Sequence, residues 1–531
     1  MWIWKLLLIC FLLLIQSEGS QKRYSRSVVN MDDLLKMEGD LVRNLETYTD
    51  VLIQKAKTIR WGIHQMKEML GRTKTFWNSA YITYSLIRHL QSDWLMWQKY
   101  LEKPVGLEQL AYINTTKEIL PQKHDFGDAA DAIRRMQRTY GMLSKDIANG
   151  LLNGVQYNSS LASIDCLAMA QHLLGQFRWS AAEQWILAGI RAQDRIGFKT
   201  DMQMLTGPTK AELYRTLGEV QLEQGNEVEA LEAYQAALKY SPHDEKMFQE
   251  YQRLAKKSLT EPIREEPEDV SEDIEEMRLP PCCSGRCEVP RKLKRLYCVY
   301  NHVTAPFLRI SPIKTEILSI NPFVVILHEM VSLKESALIR SSSEKLIVPS
   351  QTVNAVRKEF IVDNFRTSKS AWFDSNANEA TLKLTERLSD ATGLDMKHSE
   401  AFQVNNYGIG GSFETHYDAL LLDEERFLNG YIDRMATSLF YLKDVPQGGG
   451  TYFPGLNITV FPKFGTVLFW YNLDTKGKQH IRIIHTGCPV IVGSKWVVSK
   501  WIDDKGQEFR RPCINKRSHT KYLSSIEKLI I

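Results

Sequence analysis

An all-α N-terminal half followed by a sandwich or jelly-roll β domain is the fold class that this sequence of 531 residues predicts. Three observations carry it. Apolar residues recur at three- and four-residue steps through the first 140 positions, a helix–turn–helix unit stands at 211–242, and after residue 283 short β-branched runs alternate with Gly, Pro, Asn and Asp. The chain is too long for one core and implies several domains. With 67 basic and 63 acidic side chains the net charge is only +4, so the charge balance supplies no nucleic-acid partner.

The first element is Lys5, an apolar run over 6–15, then Ser17 and Gly19. A single positive charge, an apolar stretch too short to span a bilayer and small residues at its end predict a secretory signal peptide over 1–19. No later run reaches about 18 apolar residues, which predicts no membrane span. Beyond Cys10 there are seven cysteines, 166, 282, 283, 287, 298, 488 and 513, an odd number that leaves at least one thiol free or paired between chains. The cluster at 282–298 has the look of zinc ligands but no histidine at finger spacing, and an oxidising compartment favours disulfides. Sequons at Asn114, Asn158 and Asn457 are compatible with glycosylation.

Residues 20–145 read as helices, with Leu34, Leu35, Met37, Leu41, Leu45, Leu52 and Ile53 on a helical period; an intrachain bundle and a dimer seam fit equally well. Residues 146–257 read as tetratricopeptide-like helix pairs. Gly218 and Ala230 let two helices approach, Gly225 turns the chain and Pro242 ends the unit, with a partial match over 166–189 before it. Such a block offers either a peptide-binding groove or plain helical packing. Acidic residues crowd 258–282, an extended linker. The β domain, 283–515, carries predicted strands at 324–327, 358–362, 402–407, 437–442, 466–470, 488–492 and 496–501 and a helix at 378–392, followed by a tail over 516–531.

His416-x-Asp418, with His485 69 residues after His416 and Lys495 ten further on, is the constellation with chemical content. Residues i and i+2 of a strand share a face, so His416 and Asp418 can bind one ion. Two imidazoles and a carboxylate suit Fe(II) with open positions for a 2-keto acid and dioxygen, and a lysine ammonium suits the far carboxylate of 2-oxoglutarate. An isolated H-x-D pair carries little weight; its partners decide. His480 lies in a polar loop, whereas His485 leads into the strand at 488–492, and a strand holds a ligand more rigidly. Strand phase places Lys495, Val497, Ser499 and Trp501 on one face.

Tyr407-Gly-Ile-Gly-Gly with His416-Tyr-Asp418, Ala436-Thr-Ser-Leu-Phe-Tyr-Leu, Gly448-Gly-Gly-Thr-Tyr-Phe-Pro454, Gly465-Thr-Val-Leu-Phe-Trp-Tyr-Asn472, His485-Thr-Gly-Cys-Pro-Val490, Lys500-Trp-Ile and Gly506-Gln-Glu-Phe-Arg-Arg-Pro-Cys513 together resemble the catalytic domain of collagen prolyl 4-hydroxylase α subunits. The helical blocks come in the same order in that family. The resemblance implies a double-stranded β-helix (jelly-roll) catalytic domain with Fe(II) on His416, Asp418 and His485. It implies 2-oxoglutarate on Lys495 helped by Tyr407 and Thr451, L-ascorbate as reductant, and Arg434 and Trp501 near the peptide. The implied reaction is hydroxylation of peptidyl-proline to 4-hydroxyproline coupled to decarboxylation of 2-oxoglutarate to succinate. The alternatives are a secretory dioxygenase for non-collagen prolyl or lysyl substrates and a non-catalytic peptide-binding chaperone.

It further implies a proline-rich or collagen-like peptide substrate and protein disulfide isomerase as β subunit of an α2β2 heterotetramer. The location would be the endoplasmic reticulum lumen, with retention through that partner because Lys528-Leu-Ile-Ile531 is not a retention tetrapeptide. By resemblance Cys283–Cys298 and Cys488–Cys513 are disulfides and Cys166 is free. Two departures stand out: Ile484 replaces the arginine common before the last iron ligand, and helix 213–222 offers only Tyr214 where the family carries a row of tyrosines.

Overall fold

The computed structural model describes residues 23–75, 79–194, 207–260, 281–287, 297–354, 359–419, 432–511 and 526–530. The expected signal peptide, nearly all of the acidic linker and most of the tail lie outside these residues. The chain divides into two compact units, 29–122 and the remainder. No described helix is long and apolar enough to cross a membrane.

The unit 29–122 is helical: α1 (Met31–Thr75), α2 (Ala80–Arg88), α3 (Trp94–Glu102) and α4 (Leu107–Thr116). Gly62 of α1 permits Trp97 to lie against its backbone, and Asn44 Nδ2 donates to the Gln109 carbonyl at 3.1 Å, tying α1 to α4. Many large apolar side chains of the unit remain exposed, Trp61, Tyr81, Leu95 and Met96 among them. Helix α5 (Lys123–Tyr140) belongs to the second unit.

That unit continues with α6 (Ser144–Ala148), the hairpin β1 (Leu151–Leu152) and β2 (Val155–Gln156), and two helix pairs: α7 (Ser163–Leu174) with α8 (Trp179–Gln193), and α9 (Lys210–Glu223) with α10 (Glu227–Tyr240), followed by α11 (Glu245–Thr260). Small residues set the contacts. A Cβ on Gly218 would stand 2.8 Å from the Tyr234 ring, and one on Gly189 3.1 Å from Cys166. Ala130 and Met136 of α5 share a buried cluster with Leu173, Trp185 and Leu213, which is why α5 sides with these helices.

The β half comprises β3 (Tyr297–Asn301), β4 (Ile313–Ile320), β5 (Phe323–Leu327), α12 (Leu333–Glu344), β6 (Val348–Pro349), β7 (Thr352–Asn354), β8 (Glu359–Ile361), β9 (Lys369–Phe373), α13 (Glu379–Thr392), β10 (Phe402–Tyr407), β11 (Phe413–His416), β12 (Arg434–Tyr441), β13 (Gln447–Gly448), β14 (Thr451–Phe453), β15 (Ile458–Val460), β16 (Val467–Tyr471), β17 (His485–Gly487), β18 (Val490–Val492) and β19 (Lys495–Asp503). A nine-stranded sheet has the order β3-β4-β5-β16-β12-β19-β10-β9-β6, and a four-stranded sheet the order β11-β17-β14-β15. One apolar cluster joins them: Val324, Tyr407, Tyr441, Trp470 and Val497 from the large sheet, Phe453, Ile458 and Val460 from the small one.

The segment Tyr24–Arg26 with Ser27 and Val28 is tied into this unit. Arg26, 3% exposed, pairs with Asp128 of α5 at 3.0 Å and donates to the Asp363 carbonyl at 2.7 Å, while Ser27 donates to Asn406 Oδ1 at 2.6 Å.

The disulfides differ from those the resemblance implies. Cys283 bonds Cys488, with Cα atoms 5.7 Å apart, and Cys282 bonds Cys287. Cys298 stays an exposed thiol on β3, because Cys283 lies instead beside Tyr452 and Cys488 in a small buried cluster. Cys513 is outside the described residues. Cys166 is buried and takes part in neither of these two disulfides.

Candidate active site

Strand register builds the site. β11 and β17 run antiparallel with His416 opposite His485, β10 and β19 with Tyr407 opposite Lys495, and β12 and β19 with Thr437 opposite Trp501. The three pairs of neighbours bring residues from five strands to the mouth between the sheets.

His416, Asp418 and His485 offer ligand atoms within 4.8 Å of one another. His416 Nε2 stands 3.8 Å from Asp418 Oδ1, and His485 Nε2 3.7 Å from Asp418 Oδ2. Each imidazole donates its Nδ1–H to the carbonyl two residues earlier, His416 to Glu414 at 2.7 Å and His485 to Ile483 at 3.1 Å. That fixes the tautomer and leaves both Nε2 lone pairs facing the carboxylate. Burial, reinforced by the neighbouring His485, drives the His416 pKa down to about 3, so its ring is neutral and able to ligate. Burial alone would raise the Asp418 carboxyl, but His485, His416, Arg434 and the Thr437 hydrogen bond hold it below its ordinary value.

A polar relay missed by sequence reasoning supports Asp418. Thr437 donates to Oδ2 at 2.7 Å, Asn472 Nδ2 donates to Thr437 at 2.8 Å, and Trp470 Nε1 donates to Asn472 Oδ1 at 2.8 Å. The signal was a Thr and an Asn inside or at the end of otherwise apolar strands. Phe413 stacks on His416 with ring centroids 3.7 Å apart, shielding the ligand.

Lys495 is 4% exposed, and no carboxylate among the described residues is in ion-pair reach of it. Its Nζ lies 5.5 Å from the Tyr407 ring centre, and burial lowers its pKa to about 7. Thr451 is buried, its hydroxyl 3.0 Å from the Tyr441 hydroxyl. Lys495, Tyr407, Thr451 and the three ligands line one cavity, with Val497, Ser499 and Trp501 as strand phase requires. The Arg434 guanidinium lies 3.9 Å over the Trp501 ring and is paired with Glu400, and the buried Trp501 Nε1 has no hydrogen-bond acceptor among the described residues.

His480 is elsewhere: its Nε2 meets Asn321 Oδ1 at 3.1 Å and its Nδ1 caps the turn Ile481–Ile483. Arg482, two positions before Ile484, donates to the Asn321 carbonyl and so does not take up the missing arginine's place beside His485. A larger cavity of about 730 Å³ beside β3–β5 is lined by Cys298, Lys314, His328 and Arg387, but among the described residues it holds no convergent ligand set and no element of this site.

Two imidazoles that present Nε2 to one point and an ionised carboxylate, all buried or nearly so, are a donor set that fits Fe(II). Residues 402–503 match the model of the 2OG-Fe(II) oxygenase superfamily, and residues 27–154 match that of the prolyl 4-hydroxylase alpha-subunit N-terminal region. Fold and site thus define a 2OG-Fe(II) oxygenase, with Fe(II) and 2-oxoglutarate as its cofactor and co-substrate. Prolyl 4-hydroxylase subunit alpha-1 of Homo sapiens is 28% identical over 96% of this chain and 99% of its own length. The subunit alpha-1 of Caenorhabditis elegans is 30% identical over 75% of this chain and 73% of its own. The chain belongs to the prolyl 4-hydroxylase alpha-subunit family. Among solved structures, a viral collagen prolyl hydroxylase from Paramecium bursaria Chlorella virus-1 in its 2OG complex aligns at 25% identity and TM-score 0.29, covering 34% of this chain and 95% of that one.

Proposed function

We propose that the chain hydroxylates peptidyl-proline to 4-hydroxyproline in collagen-like or other proline-rich secretory proteins, with conversion of 2-oxoglutarate to succinate and carbon dioxide. The observation that carries this is the buried triad in one cavity with Lys495, which has no carboxylate partner among the described residues, in a chain that aligns end to end with prolyl 4-hydroxylase subunits. His416, Asp418 and His485 would hold Fe(II). Lys495 would pair with the far carboxylate of 2-oxoglutarate, with Tyr407 and Thr451 beside it. Iron and 2-oxoglutarate together supply, with dioxygen, the oxidant that inserts one oxygen atom into a prolyl C–H bond.

The chain's own residues supply position and dryness. Phe413, Phe453 and Trp470 pack around the two imidazoles and exclude water. Arg434, fixed by Glu400 over Trp501, and the Trp501 N–H, which has no acceptor among the described residues, offer donors to a peptide carbonyl at the cavity mouth. In the helical block Tyr214 stacks parallel to Tyr240 at 6.0 Å, and Tyr240 is half-exposed, so two tyrosines from different helices form the aromatic surface that a polyproline-type peptide needs.

The finer architecture proposed is a tetratricopeptide-like peptide-binding block at 146–257 and a double-stranded β-helix at 283–515. The exposed apolar side chains of the 29–122 unit support a dimer seam there. Family membership supports protein disulfide isomerase as β subunit in an α2β2 assembly, L-ascorbate as reductant and the endoplasmic reticulum lumen as location.

The test is co-expression with the isomerase and measurement of succinate release with (Pro-Pro-Gly)-type and non-collagen proline-rich peptides. Peptide-dependent succinate with matching 4-hydroxyproline is the expected result; a metal-loaded complex inert toward every such peptide refutes the proposal.

A further inference from the structure

The loops that enter and leave the iron-ligand strands are gripped from outside the β half. Residues 408–412 join Tyr407 to β11, which ends in His416, and residues 488–489 follow β17, which begins with His485. The two loops are stitched to each other: Gly410 N donates to the Val490 carbonyl at 2.7 Å and Val490 N to the Gly411 carbonyl at 3.2 Å. Helix α5 lies directly on this stitch. A Cβ at Gly410, whose φ is +64°, would come within 2.6 Å of Ala132, so the loop backbone touches the helix with no side chain between. Arg135 Nε donates to the Gly410 carbonyl at 3.1 Å, and the Tyr140 hydroxyl donates to the Pro489 carbonyl at 2.6 Å. Pro489 O also accepts from Gly449 N at 2.9 Å, and Gly449 lies against the Lys495 side chain.

The other face of α5 belongs to the helical block. Asp131 meets His172 of α7 at 2.8 Å, Gln137 accepts from the Trp185 indole at 3.0 Å, and Ala130 and Met136 sit in the helical core together with Ile491 of β18. One helix therefore bonds both loops of the metal site on one side and the helix pairs on the other.

We propose that Arg135 and Tyr140 are positioning residues for the 2-oxoglutarate and iron site. They set the two loops, and through them the spacing of Tyr407, His416, His485 and Lys495, so that the helical block and the active site are mechanically one part. The inference rests on the oxygenase reading above.

Three variants of the full chain in its assembled complex test it: Tyr140→Phe, Arg135→Ala, and Arg134→Ala as a same-helix control whose guanidinium faces Gln176 instead. Under anaerobic conditions 2-oxoglutarate is titrated into Fe(II)-loaded protein and followed by its visible charge-transfer absorption, with thermal melts alongside. One hydrogen bond's loss predicts affinity weakened about three- to tenfold in Tyr140→Phe, and loss of an outer-shell support about tenfold or more in Arg135→Ala. In turnover the KM for 2-oxoglutarate rises by the same factors with kcat little changed, a split that a mere loss of folded protein does not produce. Arg134→Ala keeps wild-type affinity. Wild-type affinity in both Tyr140→Phe and Arg135→Ala, or equal weakening in Arg134→Ala, overturns the proposal alone. A wild-type protein that binds no 2-oxoglutarate with metal overturns the oxygenase reading, and this proposal with it.

Discussion

Lys495 gives the sharpest quantitative expectation. Its ammonium is buried among Tyr407, Leu439 and Val497 with no carboxylate of the described residues beside it, and its pKa falls from 10.5 to about 7. At pH 8 only about one-tenth of the free protein then carries the charge that a dicarboxylate requires. Binding restores the charge, because the incoming carboxylate offsets the cost of burial, so complex formation takes up nearly one proton at pH 8 and about one-tenth of a proton at pH 6. Apparent affinity for 2-oxoglutarate accordingly weakens toward about tenfold per pH unit above 7.

Anaerobic calorimetry of metal-loaded protein in two buffers of different ionisation heat reads the proton count directly. Lys495→Arg, whose guanidinium keeps its proton, removes the uptake; Lys495→Met removes a charged hydrogen bond worth about 1.5–3 kcal/mol, roughly ten- to two-hundredfold in affinity. No proton uptake by the wild type at pH 8, or the same uptake in Lys495→Arg, refutes the assignment. The same depressed pKa has a stability signature without ligand. Between about 7 and 10.5 the unfolded chain holds the extra proton, so stability rises with pH across that window, by up to about 5 kcal/mol for this group alone, and the rise is absent in Lys495→Met.

His485→Ala abolishes stoichiometric Fe(II) or Co(II) binding while His480→Ala preserves it, as metal analysis of the purified complexes will show; the reverse pattern exchanges the two histidines. Thr437→Val removes the donor to Asp418 without changing volume and weakens metal affinity about ten- to a hundredfold, measured by competition with a chromophoric chelator. Glu400→Gln loosens Arg434 from its place over Trp501, so KM for the peptide rises while 2-oxoglutarate affinity in the calorimeter stays as in the wild type.

Strand phase accounts for how much of the site was legible. β10 runs over the same residues that the apolar pattern outlined, and helix 378–392 differs from α13 by one residue, because a buried element with no competing period leaves its outline in the sequence. The same alternation grouped Lys495, Val497, Ser499 and Trp501, which line one cavity. His485 surpasses its expected place: it does not merely precede a strand but starts β17, directly opposite His416. What stayed hidden depends on contacts between distant segments. Thr437 and Asn472 look like ordinary polar interruptions until the fold sets them beside Asp418. Arg26 looks like a surface cation near the start of the chain, yet it is buried against Asp128 and Asp363. Helix α5 has the same period as its N-terminal neighbours and differs only in which core it joins.

The cysteines show why pairing is the least legible of these. A disulfide needs Cα atoms about 4.4–6.8 Å apart, a condition on the folded chain that spacing in sequence does not express. Cys282 and Cys283 are neighbours, so a segment that brings one to Cys488 leaves the other to a nearby partner, and Cys287 is five residues away. The resulting link has a functional position. It ties the residues that follow the acidic stretch to Cys488, which stands three residues after His485 and one before Pro489, the carbonyl that accepts from Tyr140. The linker side, the helical block and the last iron ligand therefore meet within five residues of chain, and a change at any of the three is felt at the same strand end.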